Sequence, residues 1–359
     1  EMCIRDRHTV LASGVKEDLP DIVLISDLNA QGYLMSYPDA FRPMGDKISS
    51  DDFAAYKTAA VSYEDELYGV PFDSGVAALF YRTDYLSEIG YTEEDMQDLT
   101  WEEYLSLGEK LKTKGHMLQT YNPNDIAEFQ IMLQSAGKWF TNEKGEADFI
   151  DNAALEECYS IFKQLNEADY TKVVSDWTEF AGAINSGEVA CVLRGCWMTS
   201  TLMAEESQSG KWALAPIPKM NVEGATHYSN QGGSSWFVLN DSANSEIAAD
   251  FLAKTFGSST ELYNTLLKEK SIIGTFLPAT DVEAYEETSE FFSNQQVNKL
   301  LGDWMTKIPA VDTGAFSAEA QNSLVSVTPS ILEGEDLKEN LATAEEQFEQ
   351  SIQLSLIHI

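Results

Sequence analysis

From end to end, short apolar runs suited to buried strands alternate with segments of helical period, and this alternation confines the chain to the α/β class. Residues 21–26 (DIVLIS) and 76–81 (VAALFY) are the clearest strand candidates, followed by 188–194, 212–217 and 234–239. Helices fall between them. Thr100 stands three residues before Glu103, the spacing of a capping box, and predicts a helix that buries Trp101, Tyr104, Leu105 and Leu111 and stops at Gly115. Over 152–169, Leu155, Cys158, Tyr159, Phe162 and Leu165 recur at three- and four-residue spacing and give a second amphipathic helix. Asp176 and Glu179 repeat the capping logic before a short helix ending at Gly187, and residues 245–256 form a further helix stopped by Gly257. With 359 residues, 43% of them hydrophobic, the chain exceeds the roughly 100–200 residues of one domain and is expected to build two cores. No Pro/Ser-rich linker divides them. The candidate crossings are glycine-containing: Asp73-Ser74-Gly75 and Gln231-Gly232-Gly233-Ser234.

Charge narrows the possible partners. There are 59 Asp and Glu against 23 Lys and Arg, a net charge of -36, so the clustered cations that nucleic acid or an anionic membrane surface demands are not available. No apolar run approaches the ~18 residues of a membrane span, and no N-terminal stretch reads as a signal peptide. The two ends match each other in an unusual way: Met2–Arg7 (MCIRDR) can be encoded so that the opposite strand reads LSLIHI in frame, which is Leu354–Ile359. That inverted repeat resembles a transposon-derived sequencing adapter. Residues 1–7 and 354–359 are therefore expected to stand apart from the fold, with the natural chain running from about His8 to Gln353.

Metal, nucleophile and cofactor chemistry find little support. His8, His116 and His227 are unpaired at ligand spacing, and HExxH, CxxC, EF-hand, GxSxG, Walker and GxGxxG patterns do not occur. No metal and no cofactor is expected. Cys191 and Cys196 lie on opposite faces if their strand continues, which favours buried free thiols and leaves a bridge between them as the alternative. The distinctive residues are aromatics beside polar turns: Trp177 after Asp176, Trp197 after Arg194-Gly195-Cys196, and Trp236 after Gly-Gly-Ser-Ser. An indole covers the apolar face of a sugar while Asp, Asn, Gln and Arg satisfy its hydroxyls.

Six segments, in order, resemble the extracellular solute-binding proteins of carbohydrate ABC importers, the maltose and multiple-sugar type. They are Ala12-Ser13-Gly14 with Leu19–Val23, Leu67–Pro71 with Leu79–Asp84, Thr100–Glu103 (TWEE), Phe180–Trp197, Trp212–Pro218 and Gly232-Gly233-Ser234, the last similar to a conserved turn of that family. Arg82 departs from the Asn usual there, and Cys196 from the Pro. The resemblance implies a two-lobed, type II-like Venus-flytrap fold crossed three times by the chain. Lobe one would comprise 8–73 and 234–293 and lobe two 78–229 and 295–353; lobe one would be truncated at its N-terminus, without its first strand, the signal peptide and the lipid-bearing Cys. It also implies sugar contacts at Asp27, Asn29, Asp73, Ser74, Asn124, Asp125, Trp177, Arg194, Trp197, Gln231, Gly232 and Phe316. The implied protein is a monomer outside the cytoplasmic membrane, free or lipid-anchored, which captures a neutral mono- or oligosaccharide and delivers it to permease subunits without chemistry. The alternatives are a secreted sugar-active enzyme using Asp27, Asp73 or Asp125, and a sugar sensor docking on a receptor.

Overall fold

The computed structural model describes residues 20–142 and 144–357. The expectation for residues 1–7 lies outside the described residues, as do positions 358–359; the backbone of Leu354–Ile357 continues the last helix, Leu337–Ile357.

Nine strands are described: β1 (Ile22–Ser26), β2 (Ser62–Tyr63), β3 (Glu66–Leu67), β4 (Gly69–Arg82), β5 (Gln119–Tyr121), β6 (Thr171–Val173), β7 (Cys191–Gly195), β8 (Trp212–Ala215) and β9 (Asn230–Val238). One ribbon organises them. The first half of the 14-residue β4 pairs with β9, which in turn pairs with β1; the second half of β4 is flanked by β7 and β8. All these pairs are antiparallel. Parallel bridging of Met117 to Val189 then brings β5 and β6 alongside β7. The same strand thus belongs to a small sheet at one end and a larger one at the other.

The period of two along the larger sheet sorts its side chains into two layers. Ala77, Leu79, Tyr81, Cys191, Leu193, Ala213 and Ala215 face a core built with the helices Trp101–Lys112, Ala127–Ser135, Ala153–Glu167 and Ser317–Leu332. Val76, Ala78, Phe80, Val192, Trp212 and Leu214 face the opposite core, which includes Leu301 and Trp304. A third core, with Ile25, Tyr33, Phe41, Phe237 and Leu252, covers the small sheet. We call the small-sheet body lobe one and the large-sheet body lobe two. Ala284, Tyr285, Phe291 and Phe292 pack beside Phe80 on lobe two's sheet, although they fall within 234–293.

Local chemistry sets the elements that carry the site. Thr100 Oγ1 accepts from the Glu103 amide at 3.2 Å, while the Glu103 carboxylate accepts from the Thr100 amide at 2.8 Å, so the expected capping box is formed. Its helix ends at Lys112, ahead of Gly115, and buries Leu107 where Leu105 is half-buried, because a 3.6-residue turn brings 107 and 111 onto the core face with 104. Asp176 caps Trp177–Asn185 through the Glu179 amide at 2.9 Å. Gly232-Gly233-Ser234 is no turn. These residues lie inside β9, where φ of 101° and 95° at the two glycines accompanies slips in the β4–β9 register. Cys191 and Cys196 are buried free thiols in different cores. Burial pushes both up to about 12.

Candidate functional site

A cleft runs between the lobes with its floor on the crossing strands. Its inner chamber, about 260 Å³, is bounded by Asp27 and Tyr56 of lobe one, by Gln130, Gln134, Trp139 and Trp197 of lobe two, and by Asn230, Gln231 and Gly232 of β9. An outer chamber, about 540 Å³, lies between Gln31, Tyr63 and Glu64 on one side and Lys144, Asp312 and Phe316 on the other. Ala60, Val311 and Thr313 line both.

At the lobe-one wall, Asp27 opens the helix Asp27–Ser36 and is buried. Its Oδ1 accepts from the Ser235 hydroxyl at 2.7 Å and its Oδ2 from Lys57 Nζ, which is itself fully buried. Burial pushes the Asp27 carboxyl above the usual carboxylate range, against the pull of Lys57 and Ser235. Lys57 also donates to the backbone carbonyls of Asp73 (2.8 Å) and Ser234 (2.9 Å), so one ammonium ties both crossing strands to the wall of the cleft. Asp73 Oδ1 accepts from the amide and hydroxyl of Ser234 at 2.7 and 2.6 Å. Ser74 is buried and bonded to the Tyr56 hydroxyl, and its carbonyl accepts from the Cys196 thiol at 3.1 Å.

On lobe two, the Trp197 indole is 40% exposed and donates its Nε1 to the Gln231 carbonyl at 3.0 Å. With that edge engaged, the ring face is what it offers the cleft. Trp177, 52% exposed, sits behind it at 5.9 Å between centroids and stacks on Phe180 at 5.3 Å. Under Phe180, at 5.0 Å, lies the buried Arg194 guanidinium, held by Glu128 at 2.6 Å and by Asp125 at 3.3 Å. Burial raises the Glu128 carboxyl, with Arg194 opposing the rise.

Five of the residues expected from sequence therefore line the cleft: Asp27, Trp197, Gln231, Gly232 and Phe316. Asp73, Ser74, Asp125, Arg194 and Trp177 stand behind these, in the supports just described. Asn29 is half-buried on the helix after Asp27, and Asn124 is exposed in the loop after β5; neither lines a chamber. Gln130, Gln134, Trp139, Tyr56 and Thr313 went unread. Gln130 and Gln134 are four apart on one helix, a spacing that could have flagged a polar stripe on an otherwise buried element.

The amides leave a definite polarity. Gln130 Nε2 donates to Gln321 at 2.6 Å and Gln134 Nε2 to the Pro309 carbonyl at 3.2 Å, so both keep Oε1 as an acceptor. Gln231 Oε1 accepts from the Gly195 amide at 2.9 Å and keeps its NH₂ protons. Among the described residues no cluster of three or more His, Cys, Asp or Glu could hold a metal ion.

Residues 7–296 match the family model of the bacterial extracellular solute-binding protein. The chain belongs to this family. A lactose-binding protein of Rhizobium radiobacter is 42% identical to this solute-binding protein over 347 residues, 96% of this chain and 82% of the relative. An arabinooligosaccharide-binding protein of Halalkalibacterium halodurans is 23% identical over 320 residues, 84% and 69% of the two chains. Among solved structures, an extracellular solute-binding protein family 1 member superposes with a TM-score of 0.82 at 18% identity, covering 97% of this chain and 89% of the other. The ABC transporter associated binding protein of B. animalis subsp. lactis Bl-04, solved with β-1,6-galactobiose, gives 0.74 at 20% identity over 96% and 88%. These likenesses show the two-lobed α/β fold. Extracellular solute-binding proteins bind their solutes outside the cytoplasm, and among the described residues no helix is long and apolar enough to cross a membrane.

Proposed function

We propose that this solute-binding protein captures a neutral sugar in the cleft, with a β-galactoside such as lactose the first candidate, and hands it to the permease subunits of an ABC importer. The observation that carries the reading is the Trp197 face, its nitrogen already engaged, set among amide acceptors and donors. A pyranose presents one apolar C–H face and a rim of hydroxyls, and this arrangement answers both. The 42% identity to a lactose-binding protein supports the choice of sugar.

Binding without turnover fits the carboxylates. Asp27 is committed to Lys57 and Ser235, Asp73 to Ser234, and Asp125 to Arg194, so each has internal partners where an acid or base would need to reach the glycosidic oxygen. The working form is a monomer, free or held at the outer face of the membrane by a lipid. The contacts of the sugar are Asp27, Trp197, Gln231, Gly232 and Phe316, supported by Asp73, Ser74, Asp125, Arg194 and Trp177. Calorimetric titration with lactose tests the proposal: a saturable one-to-one isotherm with the sugar recovered intact is expected. Preference for a charged solute, or hydrolysis of the lactose, would overturn it.

A further inference from the structure

Resting on that reading, we propose that Lys57, which lines neither chamber, is the positioning residue of the cleft: its ammonium fixes the Asp27 carboxylate, in charge and in direction, as the acceptor for sugar hydroxyls. Lys57 is fully buried and reaches Asp27 from the helix Ala55–Ala60. Its three protons have three acceptors, Asp27 Oδ2 and the carbonyls of Asp73 (2.8 Å) and Ser234 (2.9 Å), so none is left for a ligand. The two carbonyls belong to the crossing strands β4 and β9, which anchors the ammonium on the ribbon and sets where the carboxylate can sit.

Asp27 does border the inner chamber, and 9% of its side chain is exposed. Each of its oxygens accepts one internal bond, from Ser235 or from Lys57, and a carboxylate oxygen can take two, so one acceptor position per oxygen remains for the ligand. A charged acceptor is the stronger one, but burial works against the charge; Lys57 is the foremost influence opposing burial. The neighbouring strand is shaped around the pair. A Cβ at Gly233 would stand 2.9 Å from Asp27 Oδ2 and 3.3 Å from Lys57 Nζ, so the glycine makes the room they occupy. The groups facing Asp27 are Lys57 and Tyr56 from the helix Ala55–Ala60, Asp73 from β4 and Ser235 from β9. Burial holds the Tyr56 phenol well above its ordinary range, and Asp73 is bonded to Ser234. Among the described residues, Asp27 and Tyr56 are the only titratable side chains lining the inner chamber, which makes a pH profile of sugar binding a readout of Asp27.

Calorimetric titration with lactose at stepped pH tests this on the protein, on Lys57→Met, on Asp27→Asn and on the double variant. The affinity of the unaltered protein should change less than about twofold from about pH 6 to about pH 9. Lys57→Met should bind about tenfold more weakly at the acid end, where Asp27 without its counter-charge takes up a proton, and should recover as pH rises. Asp27→Asn should be about tenfold weaker at every pH, and the double variant no weaker than Asp27→Asn, because Lys57 acts only through Asp27. The double variant removes both charges, so it keeps the comparison open should Lys57→Met fail to fold. Lys57→Met as tight as the unaltered protein at the acid end, or a double variant about tenfold weaker than Asp27→Asn, would reduce Lys57 to a staple between strands. Either result would overturn the proposal and leave the sugar-binding reading standing. No lactose binding by the unaltered protein would overturn that reading and the positioning role with it.

Discussion

Trp197 combines two properties that rarely meet: it is exposed, and its nitrogen is already bonded. Removing the ring therefore strands no buried donor and empties no core. If it covers about 60 Å² of sugar at ~25 cal/mol per Å², Trp197→Ala should cost about 1.5 kcal/mol of binding, near tenfold, with little change in apo melting. Trp177→Ala should cost less affinity, since Trp177 stands behind Trp197; calorimetry and melting of both variants check the order. Asp27→Ala is the opposite case. It leaves the Lys57 ammonium buried with only carbonyls, a loss of about 3–5 kcal/mol that urea unfolding would register. The pH response follows from the raised carboxyls of Asp27 and Glu128. A carboxyl whose folded value lies above its unfolded one adds stability that is fully present below the unfolded value and disappears as pH rises through the folded one. Glu128→Gln should therefore flatten the decline of stability from about pH 4.5 upward, as urea unfolding at stepped pH would show. Trp197 was legible as an indole just beyond a strand, after Arg194-Gly195-Cys196, and Gln231 through the resemblance, in a glycine-containing crossing. Thr313 was not, since its role depends on which loop faces it across the cleft.

At the level of elements, helices with a cap signal were read to within a few residues. Thr100→Ala should cost about 1 kcal/mol in urea unfolding, because both arms of its capping box are made. Strand extents were read less well. β4 and β9 run through glycines and polar residues that local pattern takes for breaks, and the reason is tertiary: at Gly75 a Cβ would stand 2.1 Å from the Gln231 carbonyl, so the crossing requires the missing side chain. Gly75→Ala should lower the melting temperature and shift the cleft enough to weaken lactose. The helices Asp27–Ser36 and Ala127–Ser135, which supply the cleft walls, carry weak sequence signals, the second being buried nearly all round.

For the whole molecule, both lobes grow from one antiparallel ribbon of two strands, β4 and β9, and its register slips between Pro71 and Asp73 and between Ser74 and Val76. A paired ribbon resists stretching but bends where its ladder is interrupted. Ligand binding is expected to close the lobes about this place, and small-angle scattering should show a smaller radius of gyration with lactose than without. The slips then act as the axle of a lever. Trp197, Gln231 and Asp27 bond to the ribbon or to each other beside it, whereas Tyr63, Lys144 and Phe316 line the outer chamber and are expected to move further on closure. A sugar would meet its inner contacts before the arms swing and its outer ones only afterwards, so the arrival rate should be nearly blind to sugar length while the departure rate falls with every ring the arms enclose.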